Sequence, residues 1–442
     1  MRKLLVVALV LVVLPGAAFA TDARIESLGG KEKAWTVSDE MNALYLPATV
    51  LLFPNTVWVD VGGTTASGTP VFLPVTTKEG VTQPVYIDGG TAAYGLEDAA
   101  TGKGLNGGFG MYYALGPDTV VGFYGSSMRR YVSADVLAKA FKWDAADLNT
   151  EEEGGQRAIH GADHKGSFLI GQRFGKSVRT GLQLGVWGDA YEVTSPQTKQ
   201  IERGGTLMDA RLGLGVDMAH DNSFDLALGA RIGMFNDHQY QKDRVVTRLK
   251  GSTQWEMDLL VRAVLDVPGG EKVVPYLDAG LGGQGVKWNE EMQNPPSADG
   301  SSWWVTAGMD LLVQPLDMLK LWPGLGVAMR GVKVEDTGET VQDDMLTMPF
   351  FGVAVDAGVS SWLSLRFAAR QGIQFLSAAD AETEYKESAV LTEVRVGAGM
   401  RFGNAGIDLM LNPELFTTGP NLLSGKDLDD GFATEASFRL TW

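Results

Sequence analysis

Leu207 to Ala219 alternates without a break: Met208, Ala210, Leu212, Leu214, Val216 and Met218 fall on one side, and Asp209, Arg211, Gly213, Gly215 and Asp217 on the other. A period of two belongs to a strand, which then carries one apolar and one polar face. The same split recurs in Ser223 to Met234, Trp255 to Val267, Leu363 to Phe375 and Thr392 to Phe402. Beyond residue 20 no stretch offers the roughly 18 to 20 consecutive apolar residues that a membrane-spanning helix needs. The chain reads as all-β. The open question is what the apolar faces meet, the core of a soluble sandwich or the hydrocarbon of a membrane.

The links between segments favour the membrane. Short ones, Gly116 to Asp118, Gly175 to Ser177, His220 to Asn222, Pro268 to Glu271, Val359 to Ser360 and Gly403 to Asn404, alternate with long polar ones. The long ones are Ser127 to Lys165, Ser195 to Gly204, Asn236 to Gly251, Asn289 to Gly300, Glu335 to Asp344, Leu376 to Glu387 and Asn412 to Gly431. That asymmetry is typical of up-and-down transmembrane barrels, whose turns are short on one side and whose loops are long on the other. Gln314 to Gly324 is the exception, a short-side link of moderate length. Fifteen segments from Gly107, with Thr56 to Gly62 as a first strand, make sixteen, so the expectation is an antiparallel barrel of 14 or 16 strands. Two packed sheets or several soluble domains are the alternative. The 56 glycines against 17 prolines sit within the alternating segments, and a mean hydropathy near zero is what two opposed faces average to.

The final eleven residues, Phe432 to Trp442, alternate as well and stop on an aromatic, with Phe438, Leu440 and Trp442 on the apolar face. This ending resembles the C-terminal assembly signal of bacterial outer-membrane β-barrels. It implies outer-membrane lipid, lipopolysaccharide and the barrel-assembly machinery as partners, with both termini in the periplasm. The first twenty residues fit export. Met1-Arg2-Lys3, an apolar run from Leu4 to Leu14 and Ala18-Phe19-Ala20 read as a signal peptide, residues 1–20, cut before Thr21. Absence of cysteine removes disulfides, thiolate metal sites and a lipoprotein anchor. A net charge of −17 argues against nucleic acid as a partner.

Residues 21–54 do not read as lipid-facing strands; the barrel is expected over 55–442, with its largest loop at 127–165. Leu28-Gly29-Gly30, Asp39-Glu40, Asn42 to Tyr45 and Pro47-Ala48 follow in an order that resembles the FadL-type superfamily of fatty-acid transporters and PorV-type barrels. There a Leu-Gly-Gly start, an acidic pair and an Asn-Pro-Ala motif form a hatch inside the barrel; Leu46 stands where asparagine is usual. The resemblance implies a plug made by Leu28, Gly29, Gly30, Asn42, Pro47 and Ala48. A short helix and loop packed in the lumen without gating is the plainer reading.

Chemistry is sparse. His160 and His164 beside Asp163 have ligand-like spacing, but the surrounding glycines place them in a loop, so no metal is expected. No G-x-S-x-G supports a rim hydrolase, and neither catalytic residues nor cofactors are expected. On the lumen face, Arg366, Arg370 and Arg395, with Arg401 and Arg439, form an arginine-rich wall fit for a carboxylate or phosphate, unless acids such as Glu393, Asp408 and Glu435 neutralise it. In the loop after Ser127, a helix capped by Ser133 aligns Val136, Leu137 and Phe141, which with Trp143 are candidates for an apolar capture groove. The expected function is passive uptake of a hydrophobic or amphipathic small molecule through a plugged lumen. The rival is a non-transporting barrel that docks or shuttles secreted proteins or serves a structural role.

Overall fold

The computed structural model describes residues 22–30, 33–63, 71–76, 82–87, 105–130, 160–194, 199–219, 221–241, 244–286, 298–336, 339–379, 384–411 and 433–442. The leader, residues 1–20, and the groove candidates Val136, Leu137, Phe141 and Trp143 lie outside them.

Sixteen strands close into one barrel. They are β1 (Thr56–Gly63), β4 (Leu105–Ala114), β5 (Thr119–Arg130), β6 (His160–Phe174), β7 (Val178–Thr194), β8 (Lys199–Asp217), β9 (Ser223–Gln241) and β10 (Arg244–Asp266), then β11 (Lys272–Val286), β12 (Ala298–Leu316), β13 (Leu319–Asp336), β14 (Glu339–Gly358), β15 (Leu363–Ala379), β16 (Glu384–Phe402), β17 (Ala405–Leu411) and β18 (Ala433–Thr441). A separate two-stranded hairpin, β2 (Val71–Thr76) and β3 (Thr82–Ile87), lies between β1 and β4 in sequence. Every barrel pair is antiparallel, and β18 closes on β1 with Phe438 opposite Val59 and Leu440 opposite Val57. The end carrying the short turns also carries both chain ends of the barrel: Trp442 N–H donates to Asn55 O, and Thr441 N–H to Asn404 O in the β16–β17 turn.

The alternation sorts as the sequence implies. Leu212, Leu228, Ile232, Met257 and Phe351 are each more than half exposed on the outside, whereas Arg179, Asp225, Arg262 and Arg366 are buried within. An apolar outside this continuous is incompatible with water and defines a lipid-facing belt, which removes the soluble-sandwich alternative. Where β13, β14 and β15 shift register by one bulge, between Gly326 and Ala328 and between Thr347 and Phe350, the buried Thr347 and Phe350 both keep the inward side.

Three loop expectations are corrected. Asn236 to Gly251 and Glu335 to Asp344 are mostly strand, as the β9–β10 and β13–β14 hairpins run on to residues 241 and 244, and 336 and 339. Much of Leu376 to Glu387 is strand too. Past the hydrocarbon both faces are wet, so the hydrophobic alternation lapses although the backbone ladder continues. Gln314 to Gly324 is a tight turn at Asp317–Met318, with Gln314 Nε2 donating to Asp317 O, and no exception to the short-side rule.

Leu228→Arg, in the middle of the outward face of β9, is expected to cost about 2–4 kcal/mol of folding free energy in lipid vesicles. Urea titration followed by tryptophan fluorescence measures it, and a cost near zero would mean that this face is not in hydrocarbon.

Candidate functional site

Residues 22–55 pass through the barrel interior as α1 (Asp22–Ser27), α2 (Lys33–Thr36), α3 (Asn42–Tyr45) and a 3₁₀ helix, η1 (Pro47–Leu52). Pro47 at the start of η1 fits the donor-less first position of a helix. Gly29 and Gly30 turn the chain after α1 with φ of 118° and 83°, a region that only glycine enters cheaply. Asn42 ties the middle of the segment together: its Oδ1 accepts from Asp39 N–H at 2.5 Å and its Nδ2 donates to Val37 O at 3.0 Å.

The segment touches the wall on opposite sides. α1 packs on β15 to β18 and η1 on β5 to β8. Ile25, Leu28, Trp35, Val37 and Leu46 join Ala227, Leu260, Tyr276, Trp322, Ala354 and Ala368 of the wall in one buried apolar cluster. Met41, Ala43, Leu44, Val50 and Leu51 join Trp58, Tyr112, Val120, Tyr124 and Leu169 in a second. Each fully buried large side chain contributes roughly 1.5–3 kcal/mol relative to water. Leu46, where the resembled motif has asparagine, belongs to the first cluster, so its apolar character fits its place.

Close approach is made possible by inward glycines. A Cβ at Gly181 would stand 2.2 Å from the Pro47 carbonyl carbon, one at Gly213 2.7 Å from Ala48 N, and one at Gly397 2.4 Å from Ser27 Cβ. The signal for this seat was present as glycines of inward parity on neighbouring strands, but parity alone does not say what they admit.

Arginines of the wall complete the seat, each held by wall acids as well. Arg179 contacts Asp217 at 2.7 Å and Asp225 at 3.2 Å and reaches Ala48 O at 3.5 Å. Arg262 holds Asp225 at 2.6 Å and donates to Trp35 O at 3.0 Å. Arg211 holds Asp258 at 2.6 Å and donates to Leu44 O at 3.4 Å. Three side-chain contacts run from the segment to the wall: Thr36 Oγ1 to Asp310 at 2.5 Å, Glu40 to Arg439 at 3.0 Å, and Glu26 to Arg395.

The arginine-rich wall expected of β15, β16 and β18 is therefore neutralised. Arg366 is 2% exposed and locked to Asp408 at 2.6 Å and Asp356 at 3.5 Å, so it is a cross-link inside the wall and not a ligand site, which corrects the expectation. Arg395 is held by Glu26 and Glu393. Arg370 and Arg395 do come together, lining a cavity of about 460 Å³ whose edge on the inner segment is Leu28–Gly29. Arg370 lies 4.2 Å over the Phe350 ring there. Phe438, Leu440 and Trp442 keep to the outward face of β18, away from this site.

Glu40 is 3% exposed in side chain, beside Asp39 and Arg439, and Tyr112 Oη donates to its backbone carbonyl at 3.1 Å. Burial, and then the neighbouring Asp39 charge, push its carboxyl up to about 7 against the pull of Arg439 and Arg24. The docked segment thus binds the proton more tightly than a solvated one. Docking is strongest below the ordinary value of 4.5 and weakens as pH rises through about 7.

No protein-family model matches the chain, and no curated protein matches it. Among solved structures it is similar to the ferric-catecholate import receptor Fiu of E. coli K12, at 8% identity and TM-score 0.38 over 77% of this chain and 79% of that one. The copper transporter OprC gives 7% and 0.37 over 88% and 75%. The pyoverdine receptor FpvA of P. aeruginosa gives 9% and 0.33 over 77% and 65%, so the match spans just under two thirds of that chain. Similarity at this level assigns neither a family nor a ligand. The FadL-type resemblance of Leu28 to Ala48 has no counterpart in these three descriptions.

Two outcomes are expected from a reporter, Ala43→Cys, placed in this cysteine-free chain at a fully buried position. Gly181→Val should raise its maleimide labelling roughly tenfold, about 1.4 kcal/mol of docking, whereas Gly188→Val, with nothing within 4 Å, should leave it unchanged. In the parent chain, labelling normalised for thiol ionisation should rise from about pH 5.5 to about pH 8, and Glu40→Gln should flatten that rise. A falling profile would reverse the assigned sign.

Proposed function

We propose that the chain is a bacterial outer-membrane barrel for passive uptake of a small hydrophobic or amphipathic molecule, with the inner segment as a plug that closes the lumen at rest. Domain boundaries follow: a leader at 1–20, a plug at 21–54 and a barrel from 55, with the short turns and both termini in the periplasm and lipopolysaccharide around the outer rim. The observation that carries this reading is the way the plug is held. The wall arginines that touch it keep their own aspartates, so they stay paired when it leaves, and an apolar-lined cavity adjoins Leu28–Gly29 on the side of β11 to β16.

A second reading, a barrel that docks secreted proteins or serves the envelope structurally, draws on the ion pairs that crowd the lumen, including Arg231 with Glu256 at 3.2 Å. The two readings diverge in planar-bilayer conductance. Uptake through a gated plug predicts small, infrequent openings for the full chain and a wide, steady pore for a chain lacking residues 21–48, with circular dichroism and resistance to detergent unfolding verifying that the barrel forms. Silence from both, with the barrel intact, would overturn uptake in favour of the second reading.

A further inference from the structure

Within that uptake reading, we infer that the cavity beside the plug is a binding site for a small carboxylate with a flat apolar body, whose carboxylate takes the place of Glu26 on Arg395 and so frees α1. The cavity is polarised along the strand order. Tyr276 of β11 stands at one end; Arg370 of β15 with Glu393 and Arg395 of β16 stand at the other, Ala368 lying opposite Arg395 and Arg370 opposite Glu393 in the ladder. Between them the wall offers Phe350 and the bare backbone of Gly324 and Gly352. About 460 Å³ is within the range of small-molecule sites, and an apolar box with polar groups converging at one end is their usual chemistry.

Arg395 joins this site to the plug. Glu26 reaches its Nη1, Glu393 its Nη2, and the Glu26 carbonyl accepts from Nη1 at 3.4 Å. Gly30, the second glycine after α1, lies against the guanidinium so closely that a Cβ there would come within 2.9 Å of Nη1. Both carboxylates on Arg395 are partly exposed, Glu26 at 20% and Glu393 at 43%, so neither is sealed from an entering ligand. Exchange of one carboxylate for another on a planar guanidinium preserves the charge of the pocket and its paired geometry, which an amide or an amine does not. A ligand that gains Arg395 only when Glu26 has left binds the undocked plug better than the docked one, and that differential affinity is what shifts a two-state gate.

The test uses the full chain in detergent with 2-naphthoate as probe and 2-naphthamide as its uncharged match. Titration calorimetry should show saturable binding of the carboxylate at least tenfold tighter than of the amide. Glu26→Gln, which removes the competitor, should tighten carboxylate binding by about tenfold, roughly 1.4 kcal/mol, and Arg395→Gln should abolish the preference. Gly352→Val, whose nearest neighbour for a Cβ is 3.5 Å away, should fold and fill the cavity, and should lose both ligands. Saturating 2-naphthoate should also raise hydrogen exchange in Asp22–Gly30 while the barrel strands stay protected. Equal affinity for both probes, no binding, or binding without increased exchange in α1 would each overturn the inference. If the chain lacking residues 21–48 conducts while 2-naphthoate fails, this site is refuted and uptake stands; if the probe binds but neither form conducts, the site stands and uptake falls.

Discussion

A strand in hydrocarbon can place its amides and carbonyls only on neighbouring strands, and an edge in such surroundings would leave several kilocalories per mole of unsatisfied groups. Closure follows from that requirement, and much else follows from closure. Once β18 meets β1, each strand has an outward parity that must be apolar and an inward parity that need not be. Inward positions then become the place where polar chemistry is collected. Asp225, Arg262, Asp310 and Arg366 are all buried, on four different strands, because parity puts them there.

Charges gathered inside a closed wall have to be paired, and here the pairing is done mainly within the wall. Asp225 is shared by Arg179 and Arg262 across β7, β9 and β10, Arg211 takes Asp258, and Arg366 takes Asp356 and Asp408. Breaking a buried pair by removing one partner is much costlier than leaving both in place. A barrel whose arginines depended on plug carboxylates alone would be destabilised whenever the plug moved. Because most of these arginines offer the plug only a spare hydrogen-bond donor, the wall keeps its electrostatic balance in either state.

Architecture was legible in the sequence because it rests on a period of two and on turn chemistry, both local. Sixteen strands, the short turns and the outward place of Phe438, Leu440 and Trp442 all follow from residues read a dozen at a time. Hairpin length was misjudged where both faces are wet, since at β9–β10 and β13–β14 no hydrophobic contrast marks a strand that is still hydrogen-bonded. The site was legible only in part. Arg395 and Arg366 have the same inward parity and look alike in sequence, yet one borders a cavity and the other is sealed, because what faces each depends on a plug more than three hundred residues away in the chain. Inward glycines carry the same ambiguity: Gly181 admits the Pro47 backbone, while Gly352 leaves room beside the cavity.

The contacts that do depend on the plug are unevenly placed. On β7, β8 and β10 the wall arginines give single donors to plug carbonyls, whereas on β16 and β18 Arg395 and Arg439 take plug carboxylates, Glu26 and Glu40. Withdrawal from the first side forfeits neutral hydrogen bonds that water replaces; withdrawal from the second separates full charges, one of them on a carboxyl already held near neutrality in its proton affinity. The charged side is therefore where a ligand, a proton or a neighbouring protein has leverage. The cavity borders that side at Arg395, and closure of the barrel borders it at Arg439 on β18. Movement of the plug is expected to begin at α1 and to leave η1, seated on Gly171, Gly181 and Gly213, for last.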